Sequence, residues 1–169
     1  TYKAQLHLHT SNSSDVYAKV SLEEVLLKYK KAGYTFVAIT DHDWVTDYSS
    51  LNSEDFLVIP GEEISLFQPC FPFGKHIIRI GACKEKGRTN LWQRRTNKLK
   101  RPGIFIPAHP NWEGNLGLGR WFLSDLKTLR PRFIEISGHK SNKFLDNLVW
   151  ARLLAESSFN NPVWGVAVD

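Results

Sequence analysis

Phe36-Val-Ala-Ile-Thr-Asp-His-Asp43 decides how this chain reads: four apolar residues run straight into a cluster of metal-ligand side chains. An apolar run this short, ended by polar residues, predicts a strand buried on both faces. The pattern recurs along the chain. Residues 3–8 form a predicted strand carrying Leu6-His-Leu-His-Thr10, and residues 56–59 lead into Pro60-Gly-Glu-Glu-Ile64. Residues 76–80 begin on His76, residues 103–108 deliver His109, residues 133–136 run toward Gly138 and His139, and residues 163–168 form a last strand. Between them lie helical patterns. Ser21 is a good N-cap for residues 22–32, with Glu24 three residues later and Gly33 as the stop. Residues 121–129 and 143–157 read as further helices, the last long and amphipathic.

Strands alternating with helices predict a parallel sheet. Roughly seven short apolar strands, most with polar residues just past their C-terminal ends, favour a closed barrel with its site at that face. The expectation is one α/β domain over residues 1–169. With 42% hydrophobic and 23% charged residues, it has an ordinary globular composition. No apolar run approaches the ~20 residues that span a bilayer, so no membrane role is expected. Cys70 and Cys83 form no disulfide pattern, and a cytoplasmic setting is the expectation. The charge of +5 gathers in residues 84–101, where Leu91, Arg95 and Leu99 fall at helical spacing beside Trp92. A solvated basic helix face is the first reading of that stretch, and a phosphate or nucleic-acid patch the second.

Histidines at i and i+2 on a strand share one face, so His7 and His9 can hold one metal while Leu8 packs away. His42 stands between Asp41 and Asp43 as a further ligand, and Asp41 as an accessory ligand, a partner to a ligand, or a loop cap. Glu62 and Glu63 are adjacent, so on an extended segment only one enters the site, and Glu63 is favoured. His76 and His109 complete the series, the latter set in a turn by Pro110. Lys75 and Arg79 flank His76 and are candidate phosphate contacts. Asn111, Trp112 and Arg120, in a stretch with Gly114, Gly117 and Gly119, read as a specificity loop, and His139 as a further substrate contact or a surface histidine. Glu135, between Ile134 and Ile136, reads as a structural salt bridge or a group leaning toward the site.

Together these motifs resemble the polymerase-and-histidinol-phosphatase (PHP) superfamily of metal-dependent phosphoesterases, particularly its stand-alone members. The resemblance runs over His-x-His, Thr-Asp-His, Pro-Gly-x-Glu, a mid-chain His and Ala-His-Pro-Asn-Trp, from His7 to Asp169. It implies a distorted (β/α)7 TIM-like barrel and two or three divalent ions, zinc, manganese or iron. His7 and His9 would share one ion with Glu63, which would bridge to a second on His76 and His109. Asp15 and His42 would hold a third. The family closes its site with Asp-x-His after the last strand. Asp169 is either that aspartate or the residue before it, so the chain is expected to be truncated at this motif.

The expected chemistry is a metal-bridging hydroxide, held by Glu63, His7, His9 and His109, attacking a phosphate ester in line. A small phosphomonoester or nucleotide is the leading substrate class. Hydrolysis of nucleic-acid ends in a 3′–5′ exonuclease manner, of carboxyl esters or carbamates, and an inactive metal-binding domain are the other readings.

Overall fold

A computed structural model describes residues 2–13, 16, 21–66, 74–81, 87–88, 101–114, 118–137, 142–156 and 163–167. Asp15, His139, Asp169, Gly117, both cysteines and the predicted basic helix at 91–99 lie outside them. The elements, in order, are β1 (Ala4–Leu8), α1 (Leu22–Lys31), β2 (Phe36–Ile39), β3 (Trp44–Val45), β4 (Leu57–Ser65), β5 (His76–Ile80), β6 (Gly87–Arg88) and β7 (Ile104–Pro107). Then follow α2 (Leu123–Leu129), β8 (Phe133–Ser137), α3 (Lys143–Ala155) and β9 (Trp164–Ala167). No helix among the described residues is long and apolar enough to cross a membrane.

The expected closed (β/α)7 barrel is overturned. The fold is mixed α/β, and its strands fall into three sheets ordered β1-β2-β4-β5-β7, β3-β6 and β8-β9. β1, β2 and β4 are parallel, as expected. The departure comes at β5. Leu66 N–H donates to the Lys75 carbonyl at 2.8 Å and Gly81 N–H to the Pro60 carbonyl at 2.9 Å. The partner's number falls as the strand's own number rises, so β4 and β5 run antiparallel. Ten residues separate the two strands in sequence, fewer than the dozen or so a parallel crossover needs. Nor does a helix separate β2 from β4. That interval holds only β3, which pairs antiparallel with β6, and a single 3₁₀ turn at Ser49–Leu51.

β4 is also longer than predicted. It runs through Pro60 and Gly61, so Glu62 and Glu63 stand within a strand rather than beyond one. Gly61 permits this, since a Cβ there would lie 2.7 Å from the Arg79 carbonyl oxygen and 3.1 Å from that of Ile39.

The chain divides into two compact units, Thr1–Ile64 with Ile78–Ile104, and Ser65–Ile77 with Phe105–Asp169. In the first, Leu26 of α1 packs with Tyr34, Val37, Ile39, Phe56 and Val58. α1 begins where Ser21 Oγ accepts the Glu24 N–H at 3.2 Å. Glu24 itself turns to Lys28 on the helix surface at 3.3 Å. In the second unit Ile106, Trp121, Leu126, Ile134, Leu153 and Val163 are buried. β8 and β9 pair in parallel, with Glu135 opposite Val166. Trp150 of α3 ties to this pair through its indole N–H, 2.7 Å from the Val163 carbonyl.

Candidate metal centre

The register of the first unit gathers one group of ligands. The β2/β4 ladder pairs Ile39 with Pro60, and the same offset continues beyond β2 to pair His42 with Glu63. Glu63 N–H donates to the Asp41 carbonyl at 3.0 Å, and Asp43 N–H to the Glu63 carbonyl at 2.9 Å. Residues paired in a parallel ladder present side chains to the same face, so His42 and Glu63 project together. On β1 the alternation aligns His7 with His9, whose Nε2 atoms stand 3.1 Å apart.

All three imidazoles converge on one oxygen. Glu63 Oε2 lies 3.1 Å from His7 Nε2, 2.8 Å from His9 Nε2 and 3.3 Å from His42 Nδ1. The carboxylate is fully buried, whereas the histidine side chains keep 11–13% of their surface exposed. A buried carboxylate needs a compensating positive charge or proton donor. The donor spacing fits a cation. Two ligand atoms about 2.1 Å from one ion lie about 3.0 Å apart at an octahedral angle and about 3.4 Å apart at a tetrahedral one. His7, His9 and Glu63 can therefore hold a metal ion.

Neighbouring side chains fix these ligands. Ser13 Oγ accepts the His42 N–H at 3.1 Å and stands 3.4 Å from His9 Nδ1, which leaves His9 Nε2 facing Glu63. Asp41, fully buried, accepts the Thr10 N–H at 2.5 Å and the Thr10 hydroxyl at 2.7 Å, anchoring the chain immediately after His9. Ser13 belongs to the Asn12-Ser-Ser-Asp15 loop that forms part of the resemblance, but nothing in the sequence assigned it contacts with His9 and His42.

The two adjacent glutamates part as strand alternation requires. Glu63 joins the histidines, while Glu62 Oε1 meets Arg79 Nη2 at 2.6 Å. Both members of that pair are buried.

Among the described residues, the second unit holds His76 and His109. His76, the first residue of β5, has Nδ1 3.3 Å from His109 Nε2. Ala108 N–H and the Trp121 indole N–H both donate to the His76 carbonyl, at 3.1 and 3.2 Å. His109 follows β7 with φ of 27°, a region that costs a residue with a Cβ about 1 kcal/mol or more. Its N–H donates to the Glu135 carboxylate, and its carbonyl accepts the Trp112 N–H at 2.8 Å. The Trp112 ring lies 5.0 Å from the His76 ring and 4.9 Å from the His109 ring. Gly119 leaves it room, since a Cβ there would come within 2.8 Å of Trp112 Cε3.

The remaining candidates are engaged with neighbours. Asn111 donates through N–H and Nδ2 to Asp146 Oδ1, both at 3.2 Å, and Arg120 pairs with Glu113 at 2.6 Å. Lys75 pairs with Asp125 at 3.2 Å, and Asp125 in turn accepts the Phe122 N–H at the start of α2. Asp146 was missed in the sequence. Seven residues before the buried Leu153 it occupies the inward face of α3, and that spacing was the available signal. Neither the protein-family models nor the curated proteins contain a match to this chain.

Proposed function

We propose that the chain is a metal-dependent hydrolase of phosphate esters, acting on a small phosphomonoester or nucleotide. The observation that carries the reading is the convergence of His7, His9 and His42 on Glu63 Oε2. The order of the motifs along the chain, with its resemblance to PHP phosphoesterases, supports the choice of phosphate. His7, His9 and Glu63 would hold one divalent ion, with His42 beside the same carboxylate oxygen, and His76 with His109 would hold another. Zinc, manganese and iron all suit mixed imidazole and carboxylate donors. Such an ion supplies Lewis acidity toward a phosphoryl oxygen and toward water. The chain itself supplies orientation. Ser13 and Asp41 fix the His9 and His42 segments, and the buried Glu63 places a carboxylate at the point where the rings meet. No nucleophilic side chain is needed.

Elemental analysis of the purified protein should find one to two equivalents of zinc, manganese or iron. With the metal bound, p-nitrophenyl phosphate should be cleaved in preference to p-nitrophenyl acetate and to labelled single-stranded DNA. His9→Ala and His109→Ala should each abolish turnover with an unchanged circular dichroism spectrum. Full activity in either variant refutes its ligand assignment. Preference for the acetate or the DNA replaces the phosphomonoester reading, and absence of bound metal refutes the function.

A further inference from the structure

We propose that Glu135 is a positioning residue: its carboxylate grips the backbone of His109 and holds that residue at positive φ, which sets the ring against His76. The turn from His109 to Trp112 has a limited supply of amide donors, and each is directed. His109 N–H goes to Glu135, Pro110 has none, Asn111 N–H goes to Asp146, and Trp112 N–H returns to the His109 carbonyl. Two buried carboxylates from different elements, β8 and α3, thus secure one turn. A carboxylate between Ile134 and Ile136 is a costly choice for a strand unless it does something an apolar residue cannot. Here it accepts a charge-assisted bond from a backbone that would otherwise relax. Positive φ persists in a residue such as His109 only where its surroundings over-determine it. The consequence is the 3.3 Å approach of His109 Nε2 to His76 Nδ1.

The effect on ion binding rests on the function proposed above, whereas the effect on the backbone does not. Both are read by NMR on the ¹⁵N-labelled chain. The His109 amide proton should resonate far downfield and exchange slowly in the unmodified protein. Glu135→Gln keeps an acceptor without the charge, so the resonance should move upfield while the fold is retained. Glu135→Ala should lose both the downfield position and the protection. Zinc titrated while the ring nitrogens of His76 and His109 are followed should bind about 10- to 100-fold more weakly in Glu135→Ala, with most of the affinity restored in Glu135→Gln. An amide resonance unmoved by Glu135→Gln overturns the proposal, and this arm decides alone if Glu135→Ala does not fold. If zinc leaves both rings unperturbed in the unmodified protein, the second ion is refuted, and the amide shift still decides the role of Glu135.

Discussion

The two histidine groups are held in place by the same device used at different cost. In the first unit a buried carboxylate, Asp41, takes the N–H of Thr10, one residue beyond His9. In the second a buried carboxylate, Glu135, takes the N–H of His109 itself. The first group needs little more. Strand alternation aligns His7 with His9, and the ladder register brings His42 opposite Glu63. The second takes a ligand from a turn, and its backbone sits at φ of 27°. Ligands on regular strands come with their directions set by the pleat, while a ligand on a turn must be restrained from outside.

The comparison is most exposed at Glu62, because the first group depends on β4 parting its two acids. Glu62→Ala would remove the carboxylate that faces the buried Arg79 guanidinium, at about 3–5 kcal/mol of stability. Urea unfolding measures this, and a loss below about 1 kcal/mol would show that β4 does not rely on the pair. The second group is probed through its aromatic neighbour. Gly119→Ala should displace Trp112 and cost about 1–3 kcal/mol by overpacking. Near-ultraviolet circular dichroism should change with it, and an unchanged spectrum would mean that the ring is not confined by Gly119. The smallest effect lies away from both groups and serves as their control. Asp55 is held below its ordinary value of 3.8, chiefly by its bond from Lys30 and then by that from Ser53. Its contribution is therefore present above the unfolded value and is lost as pH falls through the lowered folded one. Compared with Asp55→Asn in unfolding scans from about pH 6 to about pH 2, the unmodified protein should show a slight excess stability that vanishes at the acid end.

The sequence made local geometry legible and long-range direction illegible. β2 and β5 occupy the residues their apolar runs predict, and α1 starts after Ser21. The separation of Glu63 from Glu62 follows from alternation alone. An apolar run, however, carries no sign of which way its partner runs, so nothing in residues 56–59 and 76–80 distinguishes the antiparallel β4–β5 pair from parallel strands of a barrel. Pro60 read as a strand end, yet β4 continues through it, with its carbonyl bonded to Gly81. Glu135 stood out as an acid between isoleucines, but its partner, the amide of His109, is 26 residues away and has no side-chain signature. Asp146 lay unnoticed because a lone acid in the first turn of a helix is ordinary there.

Gly61 bears on how such a chain can change over generations. A methyl group there would press on the carbonyl of Arg79, the residue that pairs with Glu62. A substitution at 61 would therefore disturb the contact between strands that assigns one acid to the charge pair and the other to the histidines. Drift at this position, which carries no chemistry of its own, would be filtered as strictly as drift at a ligand. In a set of related sequences, Gly followed by two acids should be inherited as one block.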